Sequence, residues 1–193
     1  MSRVSESRRQ QVLEAACACA IRRGFHQTSM QDICLEAGIS PGTVYRYFRG
    51  KDELIAALCE RERTIVREMF GRVEHVEGLF PRLDALVELT QAWMDTPGQA
   101  ALYLEIAAEG ARNPQVAEMI AHVDRASLEP MVEMLREAQE RGEIASHLDA
   151  DLTARSLIAL GDGFTFRRAL DPTMRTGDYF AFVKGLVRRI LQK

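Results

Sequence analysis

The sequence predicts an all-α fold, with a three-helix head followed by a larger helical body. Apolar residues recur at helical spacing along almost the whole chain. No segment shows the sustained two-residue alternation and hairpin turns that are typical of paired strands. Glycines, prolines and capping residues divide the 193 residues into about nine stretches of helical length. We predict helices at about 7–23, 29–37, 41–47, 51–78, 83–94, 97–111, 114–142, 149–169 (or 151–169) and 177–191.

The first three helices are joined by short links and form the head. Gly24 is the stop signal of the first helix. Thr28 and Gln31 have the spacing of a capping box for the second. Ser40 is expected to be the N-cap of the third, with Pro41 at the first helical position, where no amide hydrogen is needed.

The later helices carry similar signals. Thr96 and Gln99 have capping-box spacing at the start of the sixth helix. Pro130 lies inside the seventh, so a kink or break is expected there because the amide donor is missing. Either Asp149 or Asp151 starts the eighth helix.

Charge is distributed unevenly along the chain. Residues 1–51 hold eight Lys or Arg and four acids, a net charge of +4, whereas the whole chain has −3. A basic end on an acidic body can bind phosphate locally. The negative total argues against a protein that coats nucleic acid over its entire surface.

Several classes of protein are excluded or disfavoured. The longest apolar run, 15–21, has seven residues, whereas a bilayer span needs about twenty, so we expect no membrane partner. The polar N-terminus shows no secretory signal, and we expect a cytoplasmic location. Cys17, Cys19, Cys34 and Cys59 lack metal-site spacing and are expected to be buried free thiols.

Catalytic motifs are also missing. The chain has no nucleotide-binding loop, nucleophile elbow or zinc-protease motif, and no histidine follows a Glu by three residues. Glu105 and Glu109 could act as paired carboxylates, but nothing else marks a substrate site. We therefore expect no catalytic residue, no metal and no cofactor. An enzyme and a purely structural or protein-binding helical domain are the two alternatives to a nucleic-acid-binding protein.

Residues 28–51 carry the strongest functional signal. Two short helices joined by Gly38–Ser40 have helix-turn-helix spacing. Thr and Arg side chains can hydrogen-bond base edges, Tyr can reach phosphate or a thymine methyl, and Gly lets the backbone approach DNA closely. The apolar positions expected to pack this unit together are Ile33, Ala37, Ile39, Val44 and Phe48. The outward positions of the second short helix are Gly42, Thr43, Tyr45, Arg46 and Tyr47.

This stretch, continuing into Lys51-Asp52-Glu53-Leu54, resembles the signature of the DNA-binding head of TetR-family transcriptional regulators. Arg23-Gly24-Phe25 at the end of the first helix matches as well, so the resemblance covers residues 8–58. Pro41 departs from the family pattern, which often has a polar or basic residue there, and so removes one possible DNA contact. In the body, 103–109 followed by Asn113-Pro114 resembles one recurring class of regulator bodies.

The resemblance implies double-stranded DNA as a partner and assigns roles to individual residues. It implies that Thr43, Tyr45 and Arg46 contact DNA bases or backbone, next to Gly42. Tyr47 and Lys51 are expected to bind phosphates. Thr28 and Ser29 are expected to contact phosphates at the start of a helix.

One short recognition helix makes few phosphate contacts, so we expect two heads on a two-fold axis. The resemblance implies a homodimer with a four-helix interface made by the last two long helices. The alternative is that their apolar stripes face only the core of their own subunit. The candidate stripes are Leu157, Leu160, Gly161 and Phe164 on the eighth helix, and Phe180, Val183, Leu186, Val187 and Ile190 on the ninth.

The middle helices combine large adaptable side chains with charged ones. Taken singly, each aromatic residue suits an ordinary core and each charge a solvated face. A pocket lined by both would accept an apolar or cationic organic molecule, and the resemblance implies such an unidentified small ligand. The predicted ligand-binding residues are Met69, Trp93, Tyr103, Glu105, Glu109, His122 and Phe164.

These observations together predict a division of labour along the chain. We assign a helix-turn-helix DNA-binding domain to 1–50 and a ligand-binding and dimerisation domain to 51–193. The expected function is a ligand-responsive repressor that binds a palindromic operator. The ligand is expected to favour a distance between the two heads that differs from one turn of DNA, which lowers operator affinity.

Overall fold

The computed structural model describes residues 3–192, and the regular secondary structure in that range is entirely α-helical. This confirms the predicted all-α class. No helix within the range combines the length and apolar character needed to cross a bilayer. The helices are α1 (Arg3–Gln27), α2 (Met30–Ala37), α3 (Pro41–Tyr47), α4 (Lys51–Val73), α5 (Leu79–Met94), α6 (Gln99–Gly110), α7 (Pro114–Glu140), α8 (Ala150–Leu170) and α9 (Thr176–Leu191).

The start of α2 differs from the prediction. Ser29 is the N-cap: its Oγ accepts from the Asp32 amide at 3.1 Å, and the Asp32 carboxylate accepts from the Ser29 amide at 2.9 Å. Thr28 is buried and donates its hydroxyl to the Gly24 carbonyl at 2.8 Å. The predicted box of Thr28 and Gln31 is therefore wrong by one residue, because burial withdraws the Thr28 side chain from the helix start.

Two glycines shape the head. Gly24 interrupts α1 with a φ of 80° and a ψ of 153°, which places the predicted stop signal at a real break although helix resumes to Gln27. Gly38 closes α2 in the left-handed conformation with a φ of 63°, and its amide donates to the carbonyls of Cys34 and Leu35.

The later helices show three further differences from the predictions. α5 begins at Leu79, so Pro81 lies within its first turn, where a missing amide costs nothing. α6 begins at Gln99, two residues later than predicted. α7 continues through Pro130, so the predicted break does not occur. Asp149 is the N-cap of α8 and accepts from the Leu152 amide at 3.0 Å, which decides between the two predicted starts.

The chain divides into two compact units. One holds the chain up to Glu62 together with Ala101–His122, and the other holds Arg63–Ala100 together with the chain from Val123 onward. The first unit therefore includes α6, which the sequence assigned to the body.

The core of the head follows the predicted apolar pattern. Val12 and Ala16 of α1 are fully buried, as is Val44 of α3. The five interior positions predicted for residues 28–51 are all buried: Ile33, Ala37, Ile39, Val44 and Phe48. This packing fixes α2 and α3 against α1 as one body.

The core of the second unit is built from α5, α7, α8 and α9, and it corrects the predicted dimer stripes. Most residues of the stripes predicted for the dimer interface face this core instead, as in the alternative that they pack within their own subunit. Leu157 and Leu160 pack against it, Phe164, Phe180, Val183 and Val187 lie inside it, and Leu186 and Ile190 are exposed.

Candidate nucleic-acid interface

α3 is a short helix whose inner side is tightly packed. Val44 and Phe48 are 0% and 2% exposed, and the guanidinium of Arg9 lies 5.0 Å from the centre of the Phe48 ring. Pro41 occupies the first turn as predicted. Ser40 is the N-cap by position, but its hydroxyl lies 3.0 Å from that of Thr43 and does not cap the backbone.

The opposite side of α3 is polar and accessible. Gly42, Tyr45 and Arg46 are exposed, with Tyr45 retaining 49% of its surface, while Thr43 and Tyr47 are half-buried. A Cβ at Gly42 would meet nothing within 4 Å. The five predicted outward positions therefore form one open face, on which hydroxyl and guanidinium groups can meet base edges or phosphates.

Arg46 and Tyr47 are coupled to each other. The Arg46 guanidinium donates to the Tyr47 hydroxyl at 3.3 Å and lies 5.2 Å from its ring centre. Hydrogen bonds from the Ser5 side chain and then from Arg46 lower the pKa of Tyr47 below its ordinary value. In the described part of the chain Arg46 forms no ion pair with a carboxylate, so its charge remains available to DNA.

Positive charge also flanks α3. The Arg49 side chain is 91% exposed and makes only a 3.8 Å ion pair with Glu53. The Lys51 ammonium donates to the carbonyls of Phe25 at 2.8 Å and His26 at 3.4 Å. An ammonium has three donors, so Lys51 can hold this backbone and still donate to a phosphate.

The two predicted phosphate contacts before α2 differ in accessibility. Ser29 is exposed at the helix start, where the helix dipole favours an anion, while its own amide and hydroxyl are bonded to Asp32. Thr28 is 1% exposed, and both its hydroxyl and its amide bond the Gly24 carbonyl. The prediction for Thr28 is corrected: its side chain holds the chain between α1 and α2, and no surface remains for a phosphate.

Two basic residues near the end of α1 are paired with carboxylates of α2. Arg22 is bonded to Glu36, and Arg23 lies 3.2 Å from Asp32. These pairs leave the positive charge of the head concentrated near α3, where it can act on a nucleic acid.

The predicted ligand-binding residues are divided between the two units. Met69 and Trp93 pack at the margin of the second unit's core, and Phe164 lies inside it, 4.0 Å from the ring centre of Tyr179. Tyr103, Glu105, Glu109 and His122 belong to the first unit.

The two predicted carboxylates have partners within the first unit. Glu109 is paired with Arg112 at 2.9 Å. The Glu105 carboxylate accepts from the Phe25 amide at 3.2 Å. Sequence patterns offered no signal for this contact, because the two residues are 80 positions apart. The contact by Ser5 on Tyr47 was missed for the same reason.

A groove of about 570 Å³ lies on the second unit beside α7 and the start of α8. Its lining combines two apolar side chains with several carboxylates, and it contains none of the predicted ligand-binding residues. Its lining is Leu128, Glu129, Val132, Glu133, Arg136, Glu137, Glu140 and Asp151.

Comparisons with known proteins agree with this geometry. Residues 12–58 match the family described as bacterial regulatory proteins, tetR family, and residues 81–192 match the BetI-type transcriptional repressor C-terminal family. The HTH-type transcriptional regulator UidR of Escherichia coli K12 is 32% identical over 193 residues, covering 99% of this chain and 96% of the relative.

Solved structures show the same fold. GusR of Salmonella enterica has a TM-score of 0.80 at 34% identity, covering 96% of this chain and 95% of its own. FadR of Bacillus subtilis, solved in complex with stearoyl-CoA, has a TM-score of 0.83 at 20% identity and covers 92% and 96% of the two chains. The chain is thus a DNA-binding transcriptional regulator and not an enzyme, and it belongs to the TetR family.

Proposed function

We propose that this regulator is a ligand-responsive repressor that binds a palindromic operator as a homodimer. The observation that carries the proposal is the open polar face of α3 on a tightly packed base. Residues 1–50 bind DNA and 51–193 bind ligand and partner subunit. The BetI-type repressor match over 81–192 supports repression, and binding to a chromosomal operator requires a cytoplasmic location.

On DNA, α3 acts as the recognition helix. Thr43, Tyr45 and Arg46 face base edges in the major groove, and Gly42 permits close approach of the backbone. Tyr47, Lys51 and the start of α2 at Ser29 contact phosphates and fix the register.

The dimer proposal is supported by an unpaired stripe on α8. Its exposed positions alternate in steps of four and three, as in the seam between two packed helices. Large side chains stand at the ends and small ones in the middle. The stripe is Leu152, Ser156, Ala159, Gly163, Phe166 and Leu170.

This stripe is complementary to itself when two copies run antiparallel. Leu152 then meets Leu170, Ser156 meets Phe166 and Ala159 meets Gly163. A Cβ at Gly163 would meet nothing within 4 Å in one subunit, so the middle of the seam is open to close approach by a second helix. A two-fold axis needs such a self-complementary surface.

α9 adds a second exposed stripe beside its buried one. Tyr179, Phe182, Leu186 and Ile190 are between 37% and 72% exposed at helical spacing. Four large apolar side chains are thus exposed along one face of α9, and exposed apolar patches often mark sites of protein association. The two helices therefore present the surface for a four-helix interface between subunits.

The ligand proposal rests on the second unit. Met69 and Trp93 at its core margin are adaptable apolar side chains that suit an organic molecule. FadR, which shares the fold, binds stearoyl-CoA, so helical bodies of this architecture can hold a long organic ligand.

Selection of bound DNA from a random pool tests the function. We expect enrichment of a palindrome whose half-sites lie about one helical turn apart. Arg46→Ala should lower operator affinity by roughly tenfold or more and relax preference at one base of each half-site. Arg112→Ala, which removes the same charge from an exposed ion pair on another segment, is the matched control and should bind as the original protein does.

Absence of any enriched duplex, or enrichment of a sequence without two-fold symmetry, would refute operator recognition by a dimer. Gel shifts with a library of small organic compounds then test the ligand. A compound that binds the protein should release the operator; if every bound compound leaves affinity unchanged, the ligand-responsive part is wrong.

A further inference from the structure

We infer that Glu105, on α6, is a positioning residue for operator binding: it holds the turn between α1 and α2 in the conformation that places the phosphate contacts. The inference rests on the proposed operator binding. It assigns to Glu105 a role in the head in place of the ligand contact predicted from the sequence.

The turn begins where α1 loses its helical conformation. With Gly24 at a φ of 80°, the amide of Phe25 points away from the α1 hydrogen-bond ladder and donates to the Glu105 carboxylate at 3.2 Å. Phe25 is 2% exposed, so water cannot readily replace this acceptor. A buried amide without a partner is unfavourable, and Glu105 is therefore built into the turn.

The same turn is held from two other directions. The Thr28 hydroxyl donates to the Gly24 carbonyl at 2.8 Å. The Lys51 ammonium, at the start of α4, donates to the Phe25 carbonyl at 2.8 Å. One peptide segment thus joins α6, α4 and the start of α2 through side-chain hydrogen bonds.

The approach of Glu105 is as close as glycine permits. A Cβ at Gly24 would lie 2.9 Å from the Glu105 Oε2, nearer than real Cβ contacts. The backbone conformation of Gly24 favours glycine, and a Cβ there would also displace the Glu105 carboxylate from the Phe25 amide.

The groups fixed by this turn are those assigned to phosphate. Ser29 caps α2 immediately after it, and Lys51 is bonded directly to it. Loss of the Glu105 contact frees the Phe25 peptide, and the start of α2 and the Lys51 ammonium then lose their fixed positions relative to α3. The face of α3 itself is packed on Val44 and Phe48 and is not disturbed.

The test uses the full chain and its selected operator, with affinity measured over a range of salt concentrations. Glu105→Ala should weaken binding by about tenfold, because the phosphate contacts of Lys51 and the start of α2 are no longer held in position. The slope of log affinity against log salt should also become flatter by about one, since Lys51 is the cationic contact that is displaced and each such contact contributes about 0.9. The base preference of the selected operator should not change.

The conservative variant separates positioning from general destabilisation. Glu105→Gln keeps an oxygen that can accept from Phe25 and should retain the original slope and affinity within about twofold. Glu118→Ala, which removes the same charge from an exposed position of α7 in the first unit, is the matched control and should bind normally. Protection of the Phe25 amide from hydrogen exchange should be lost in Glu105→Ala and kept in Glu105→Gln. If Glu105→Ala does not fold, Glu105→Asp, whose shorter side chain cannot reach the amide, takes its place.

Two outcomes overturn the inference. If the salt slope and affinity of Glu105→Ala match those of Glu118→Ala, Glu105 has no role in placing phosphate contacts. If Glu105→Gln is as defective as Glu105→Ala, the hydrogen bond is not the cause. Failure of the unmodified protein to select any duplex would instead refute the proposed function, so the two failures are distinguishable.

Discussion

Burial in the first unit raises the pKa of one thiol, that of Cys59 on α4. The residue is 4% exposed, and burial raises the pKa of its thiol from the ordinary value of 9.0 to about 11, with the nearby Glu62 charge acting in the same direction. The thiolate is the reactive form of cysteine, so Cys59 is a packing residue that stays protonated at neutral pH.

The Cys59 pKa predicts a loss of stability in alkali. In the unfolded chain the thiol ionises near pH 9, whereas the folded protein retains the proton to about pH 11. The folded state therefore binds more protons between these values, and its stability falls as the pH rises through them. Urea unfolding at pH 8, 9 and 10 should show a steeper decline for the original protein than for Cys59→Ala. Equal pH dependence in the two proteins would contradict the assignment.

Residue positions were predictable where one physical rule decides them. Periodicity located Val44 and Phe48 inside and Tyr45 and Arg46 outside, because a helix turns a fixed angle per residue. The partner of Glu105 was not predictable, because a contact between α6 and the end of α1 depends on tertiary packing rather than on local spacing.

Among the helices, α2 shows why element boundaries are harder to predict than element types. Thr28 with Gln31 and Ser29 with Asp32 have the same capping spacing in adjacent registers. Only the buried hydrogen bond of Thr28 to Gly24 decides between them. Pro130 and the start of α5 show the same dependence, since tertiary packing allows a helix to continue where local propensity favours a stop.

The cap of α2 can be tested directly. Ser29→Ala should destabilise the protein by about 1 kcal/mol, because the N-cap hydroxyl satisfies an amide of the first turn. Gln31→Ala, in the register predicted from sequence, should change stability little. The Ser29 hydroxyl is also the largest cause of the lowered pKa of Asp32, so that pKa should rise in Ser29→Ala. Denaturant unfolding and carboxyl NMR titration provide the two measurements, and a larger effect from Gln31→Ala would refute the structural register.

At the scale of the whole molecule, the sequence predicted about nine helices and the family, but it did not predict that α6 groups with the first unit or which apolar stripes are buried. α6 groups with the head unit, whereas the sequence placed it in the body. Both α8 and α9 have two apolar stripes, and periodicity alone cannot say which stripe is buried. The core of the second unit uses the stripe containing Phe164 and Phe180, which leaves the opposite faces available for a second subunit.

The exposed stripe of α8 predicts how two subunits pair, and Gly163 lies near the middle of that stripe. Gly163→Leu adds a side chain in open space on one subunit, so the subunit should fold normally. In an antiparallel dimer the same side chain collides with Ala159 of the partner subunit, twice by symmetry, and should raise the dimer Kd roughly a hundredfold.

Gly71→Leu, on an exposed and equally open position of α4, is the matched control. Light scattering should give about twice 21.7 kDa for the original protein and the control, and a lower mass for Gly163→Leu at micromolar concentration. Operator affinity of Gly163→Leu should fall as the dimer dissociates, because each separated head retains only its own phosphate contacts. A Gly163→Leu protein that remains dimeric would show that the α8 seam does not join the subunits.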